Sequence, residues 1–329
     1  MSDSKLPGCF KYGCIGCLSV AALGVAAIFL IGAINIAYEP DEPRPEKAQL
    51  AQDLPEAPAP PTLPYPSADS PSLPESLTLP DAADTVRAGR VVLDLSMGEF
   101  IIRPGPPGEP IRIDADYDAA SFVLTEEYTA SDDGTWTYDV SFGARRGFLG
   151  MLFRGGVQEG DNRIELTIPR GYPVDIVGKI GIGESEIDLG GLWIRNVDLE
   201  LGTGDHFLEF REPLPFPMGD FAVDSSIGEV EVRNLGAASP RSVVVGHGLG
   251  ELLVDLHGPW RRDAEVDVRC GVGECRLWLP DTARVDMKSA KIGIGESHVE
   301  RPDDEDLPAD APTLTINMRG GLGDLRVEN

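Results

Sequence analysis

The sequence predicts an all-β protein: a β-solenoid of parallel β-helix type with Gly-x-Gly-acid corners, set behind one transmembrane helix and a proline-rich linker. Three observations lead there: a recurring glycine corner, two-residue alternation on both sides of it, and an uncharged run near the start of the chain. The corner occurs in full as Gly181-Ile182-Gly183-Glu184, Gly202-Thr203-Gly204-Asp205, Gly248-Leu249-Gly250-Glu251, Gly271-Val272-Gly273-Glu274, Gly293-Ile294-Gly295-Glu296 and Gly321-Leu322-Gly323-Asp324. Ser226-Ile227-Gly228-Glu229 keeps the second glycine and the acid, and Ser96-Met97-Gly98-Glu99 is an early version. From Gly183 onward the second glycines step by 21, 24, 22, 23, 22 and 28 residues. A fixed period of about 20–30 residues marks supersecondary units that stack on one another.

Residues 1–14 form a short tail, and residues 15–37 contain no Asp, Glu, Lys, Arg or His. As a helix rising about 1.5 Å per residue, that run reaches about 34 Å, enough for a hydrocarbon core of about 30 Å. Inside it every backbone polar group would be paired. A cleaved leader normally has an apolar region of about 7–15 residues, so the longer run reads as a retained anchor in the lipid bilayer. Lys5 and Lys11 precede it, and Glu39, Asp41 and Glu42 follow. That asymmetry predicts the N-terminus in the cytoplasm and the rest of the chain outside.

Residues 38–80 read as a linker, since twelve prolines punctuate positions 39–80. Proline removes backbone donors and favours polyproline II over helix or sheet. Residues 81–170 then form an N-terminal β region. Val91, Leu93 and Leu95 alternate with polar or outward positions, as do Ile111 and Ile113, Trp136 to Phe142, and Ile164 to Ile168. Period two with polar partners means half-buried strands.

Residues 171–329 carry the solenoid repeats. Runs such as Val197-Asp-Leu-Glu-Leu201 precede the corners, and runs such as Leu208-Glu-Phe210 and Val230-Glu-Val232 follow them. Each unit is strand, glycine corner, strand and a second turn with its own breakers, for example Gly190-Gly191 or Gly258-Pro259. One unit cannot bury its apolar face alone, whereas units stacked about 4.8 Å apart make a continuous core. A leucine-rich repeat shares the period, but this chain shows no Asn ladder or helical half-unit. A twisted antiparallel sandwich is the alternative fold, because glycine corners also close hairpins.

The run from Arg163 to Ile176, then Gly181-Ile-Gly-Glu-Ser-Glu-Ile-Asp-Leu-Gly-Gly-Leu192, then Val197 to Asp205, resembles the toast-rack family. It also resembles the related cell-wall-active antibiotic response domains of bacterial envelope stress proteins. The resemblance extends over residues 90–329. It implies a β-solenoid in a bacterial membrane-associated protein, with no enzymatic activity to carry over. In the envelope-stress relatives the domain modulates a membrane sensor by contact. Those relatives usually carry several spanning helices, and this sequence has one candidate.

Composition narrows the function classes. The chain has 329 residues and a net charge of −27, and no basic stripe exists to displace counterions from a nucleic acid. Five cysteines are too few for a disulfide scaffold at this length. No Gly-x-Ser-x-Gly elbow is present, and His206, His247, His257 and His298 share no metal-ligand spacing. The Gly-x-Gly corners are not phosphate loops, since no helix or Lys-Ser/Thr follows them.

Three groups of residues stand out as candidate sites. Glu184, Asp205, Glu229, Glu251, Glu274, Glu296 and Asp324 would form a column if the rungs register. Such carboxylates either brace the tight turn by accepting backbone N–H groups, or offer oxygens to Ca²⁺. Left unpaired they repel, so some rungs must splay or borrow arginines. Cys270 and Cys275 flank one corner on the inward phase, where they form a small-loop disulfide or sit as buried thiols. The segment 143–156 sets Arg145, Arg146 and Arg154 beside Phe148, Leu149, Met151, Leu152 and Phe153. It reads as a cap over an open solenoid end or as a docking loop for lipid or protein.

The functional expectation is a non-enzymatic, single-pass protein of the bacterial inner membrane. It would present a β-solenoid outside the cytoplasm to an envelope protein or cell-surface component, with envelope stress sensing as one setting. The alternative is an adhesive or structural module stabilised by divalent cations. A polysaccharide-acting enzyme is a third reading, by fold analogy alone.

Overall fold

The computed structural model describes residues 45–55, 88–145, 162–300 and 307–329. Thirteen strands and one four-residue helical turn make up the regular structure among them. Seven of these strands are 14–16 or 17 residues long and carry the corners: β7 (Pro173–Asp188), β8 (Trp193–Glu209), β9 (Asp220–Arg233), β10 (Ser242–Asp255), β11 (Ala264–Trp278), β12 (Arg284–Val299) and β13 (Thr313–Glu328). The turn α1 (Leu235–Ala238) lies between β9 and β10.

Each long strand is folded into two arms at its glycines. In β8, Val197, Leu199 and Leu201 are buried before the corner, and His206 and Leu208 after it. The inward phase thus shifts from odd to even positions across Gly202-Thr203-Gly204, as a sharp corner requires. Gly204 has φ +146°, and a Cβ there would lie 1.8 Å from the Gly183 carbonyl oxygen on the rung beneath. Only glycine satisfies both conditions.

The rungs stack parallel and in register, in the order β2-β7-β8-β9-β10-β11-β13-β12, with β2 (Gly89–Gly105) as the first. The two inward faces enclose one core, from Val91 and Phe100 to Ile316 and Leu325. All-β architecture is therefore observed, built on parallel repeat rungs.

One detail departs from simple consecutive stacking: β13 sits between β11 and β12. The long step of 28 residues between Gly295 and Gly323 provides the slack for the chain to return by one rung. Burial explains the preference. Leu314, Ile316, Met318, Leu325 and Val327 of β13 are all fully buried, while β12 offers Ser297 where β13 offers Leu325. Placing the more apolar strand inside buries more hydrocarbon.

The opposite end is closed by shorter strands. β5 (Trp136–Ala144) extends the first arm of β2 in parallel, and β4 (Phe122–Ala130) pairs antiparallel with β5. β6 (Arg163–Pro169) extends the second arm, followed by β3 (Ile111–Asp118) and β1 (Pro45–Gln52), both antiparallel. Aromatic rings fill the space between these layers: Phe122 stacks on Phe142 at 5.1 Å, and Tyr117 meets Phe142 edge-on at 5.4 Å. Tyr138 is buried and donates its hydroxyl to Glu126, and burial raises its pKa well above the ordinary tyrosine range.

β1 falls inside the stretch read from sequence as a linker without sheet. Pro45 opens the strand and the next proline is Pro55, so the intervening residues keep every donor they need. Among the described residues no helix is long and apolar enough to cross a membrane. Residues 15–37, where the sequence places one, lie outside them.

Candidate interaction surface

The register of the rungs turns each position of the corner motif into a column. The central residues align as Met97, Ile182, Thr203, Ile227, Leu249, Val272, Leu322 and Ile294. Ile182, Ile227, Leu249, Val272, Leu322 and Ile294 are 39–70% exposed. Among the described residues these six, with Val299, are the large apolar side chains left open to solvent. Scattered exposed apolar residues are ordinary, but a continuous row is not. At about 4.8 Å per rung the unbroken part from Ile227 to Ile294 is about 19 Å long, with Thr203 separating it from Ile182.

Two residues further on, the acids align as Glu99, Glu184, Asp205, Glu229, Glu251, Glu274, Asp324 and Glu296. The outer edge of the solenoid is thus an apolar ridge with a rank of carboxylates along one side. Arginines relieve the repulsion at some rungs. Arg163 donates to Glu99, Arg276 Nε donates to Glu274 at 2.7 Å, and Arg326 lies 3.3 Å from Glu274 and 3.9 Å from Asp324. The hydrogen bond from Arg276 holds the Glu274 carboxyl below its ordinary pKa. Glu184, Asp205, Glu229, Glu251 and Glu296 point into solvent. The turn-brace reading of these acids does not hold: the hydrogen bonds described for the column come from arginine side chains, and the corner is held by glycine backbone stacking instead.

A shallow groove beside the ridge is lined by Glu229, Glu231, Glu251, Glu274 and Arg276 with Val230, Leu252 and Leu253. Among the described residues no group of three or more His, Cys, Asp or Glu side chains is arranged to hold a metal ion. Adjacent acids on parallel strands lie side by side on one flat face, whereas Ca²⁺ takes six to eight oxygens converging from around it.

Beneath the corners runs a polar seam. Ser185 and His206 Nδ1 are 2.9 Å apart, and Ser225 and His247 Nδ1 are 2.5 Å apart. His206 and His247 are both more than nine-tenths buried, and the Nε2 atom of each has no hydrogen-bond partner among the described residues. Burial lowers both pKa values from the ordinary 6.5. On the next rung after His247, Cys270 and Cys275 form a disulfide across the corner.

The segment 143–156 contributes one described cation to the site question. Arg145 Nε donates to the carbonyls of Ala119 and Phe122 at 2.8 and 2.9 Å, which ties the turn between β3 and β4. Its guanidinium is committed to that turn. Arg146, Phe148, Leu149, Met151, Leu152, Phe153 and Arg154 lie outside the described residues.

Sequence reasoning passed over the ridge because it treated the corner as glycine plus acid. The signal was present in the alignment of the copies, where the middle position reads Met, Ile, Thr, Ile, Leu, Val, Ile, Leu. An apolar residue between two glycines, at a position that cannot face the core, is that signal.

No family model matches the chain, and no curated protein matches it. Among solved structures it is similar to a provisionally assigned cell adhesion protein from Clostridium sporogenes, at 14% identity and a TM-score of 0.41, covering 87% of this chain and 99% of that one. It is also similar to a provisionally assigned adhesin from Bacteroides fragilis, at 10% identity and a TM-score of 0.30, covering 88% of this chain and all of that one. Similarity of this degree carries no argument about what the chain does.

Proposed function

We propose that the chain is a non-enzymatic surface protein whose solenoid binds an envelope protein or cell-surface component along its glycine edge. The observation that carries this reading is the apolar ridge with its flanking carboxylates. A partner with an apolar groove and basic lips fits that edge. Covering each half-exposed ridge side chain contributes about 1 kcal/mol. Six of them give a gross gain of about 6 kcal/mol, against which association entropy counts, so contact along the ridge is reversible. Carboxylates beside the ridge speed encounter with a basic partner and disfavour an anionic one.

In the same proposal the uncharged run at 15–37 anchors the chain in the bacterial inner membrane, and because β1 begins at Pro45, only residues 38–44 separate that anchor from the folded part, which sits close to the outer side of the bilayer. A rigid edge displayed in this way suits contact with a neighbouring envelope component, including modulation of a membrane sensor. The test compares the full chain with a variant carrying Ile227→Ser, Leu249→Ser and Val272→Ser by proximity crosslinking in native membranes. The expected result is an unchanged thermal melt and loss of the crosslinked product. A product recovered undiminished from the triple variant removes the ridge from the function.

A further inference from the structure

Among the described residues the solenoid is closed at one end and open at the other. At the β2 end, antiparallel strands cover the core. At the β12 end the core stops at β12 among the described residues: β12 pairs with β13 on one side and has no strand partner among them on the other. Its inward positions show this directly. Val299 is in register with the fully buried Val327 yet is 44% exposed, and Ser297, in register with the fully buried Leu325, is exposed. Val285, Met287, Ala290 and Ile292 pack against the core from one side only and remain half-buried. Natural sheets blunt such edges, because a row of free N–H and C=O groups templates another strand. Here the one bulge lies between Met287 and Ser289, and the strand beyond it, through the corner to Val299, is regular.

We propose that this open end is a head-to-head interface with a second copy of the same chain. A two-fold axis through the glycine corner, perpendicular to the stack, maps the first arm of β12 onto the second arm of its partner and makes them antiparallel. An isologous contact of this kind needs a self-complementary pattern. The pattern is present. Aligning inward positions with inward positions sets Ile292 opposite Ser297 of the other copy and Ala290 opposite Val299. The outward residue Lys291 then stands opposite His298, with Glu296 and Glu300 as its diagonal neighbours. Diagonal pairs of opposite charge stabilise antiparallel strands. Both copies contribute the same set, so each Lys291 faces Glu296 and Glu300, of which Glu300 also accepts hydrogen bonds from the backbone and side-chain amides of Asn329 in its own copy. The half-buried Ile292 and the exposed Val299 become core, and the two apolar ridges join into one of about twice the length. That juncture also gives a multivalent edge its avidity. The inference does not rest on the ridge reading, since the interface residues lie at the end of the stack.

The experiment uses the full chain, with Cys9, Cys14 and Cys17 replaced by Ser. Ile294 lies next to the proposed axis, whereas Ile182 lies six rungs away along the stack. Ile294→Cys should give a covalent dimer with a short bis-maleimide in native membranes, and Ile182→Cys should not. Light scattering in detergent micelles should give a dimer that Lys291→Glu weakens at least about tenfold. Adding Glu296→Lys and Glu300→Lys to Lys291→Glu should restore it, with unchanged thermal melts throughout. A monomeric chain, a dimer that ignores Lys291→Glu, or a crosslinked product at position 294 whose mass is not that of two copies overturns the proposal.

Discussion

Cys270 and Cys275 are five residues apart in the chain, and their Cα atoms are 6.3 Å apart. Five residues of extended strand would span about 16 Å. The pair therefore measures how sharply β11 folds at Gly271-Val272-Gly273, and the disulfide closes that fold from the inside. Replacing both cysteines by Ala should cost about 2 kcal/mol, the loop-entropy value for so short a ring. Guanidinium melts of the full chain, with and without reductant, check this. The Ala pair should be insensitive to reductant, and the parent should lose a similar amount when reduced.

The corner glycines should tolerate nothing larger. At Gly273 φ is +133°, and a Cβ would lie 1.8 Å from the Gly250 carbonyl oxygen. Gly273→Ala should destabilise by about 2 kcal/mol or more, because the backbone conformation and the stacking distance are both disturbed. Thr203→Ala, at an exposed ridge position, should change stability by no more than about 0.5 kcal/mol. Denaturant melts of the two variants separate corner geometry from ridge chemistry.

The buried histidines make stability depend on pH. The folded pKa values of His206 and His247 lie below 6.5, so the unfolded chain takes up protons more readily as the pH falls. The contribution is complete above about pH 6.5 and is lost progressively as the pH falls from there through the depressed folded values, with a slope up to about 1.4 kcal/mol per pH unit for each histidine. Urea melts from about pH 7.5 to about pH 5 should show the midpoint falling. Replacing both histidines by Gln should flatten that dependence, while the carboxylate contribution at lower pH stays.

The carboxylate rank should respond to divalent cations as a line of charge and not as a coordination site. Millimolar Ca²⁺ and Mg²⁺ should raise the melting temperature by the same few degrees, and about 0.5 M NaCl should abolish the difference. A rise specific to Ca²⁺ that survives salt would mean that the rungs gather oxygens around a bound ion.

Much of this architecture was legible because alternation and period act locally. The glycine spacing marks the rungs, and counting two residues on from each second glycine predicts an inward column of Ser185, His206, Val230, Leu252, Cys275, Ser297 and Leu325, of which all but the exposed Ser297 are buried. The exchange of β12 and β13 was not legible. It depends on which of two competent strands buries more hydrocarbon against β11, a comparison between rungs that no single repeat contains. β1 was hidden for a related reason: its partner β3 begins about sixty residues further along the chain, and nearby prolines dominate the local composition. The interface residues on the ridge were visible as letters. Their meaning required knowing that the residue between two glycines points away from both arms.

The slot occupied by β13 makes the order of synthesis differ from the order of assembly. When β12 leaves the ribosome, the surface it will finally rest on has not been made, and β11 still presents a bare edge. The nascent chain must either hold β12 aside or let it dock on β11 and then yield the place. A frameshift that erases Thr313–Glu328 would remove an inner plank and not a loose end, leaving β12 to seek a berth on β11 with Ser297 where Leu325 belongs.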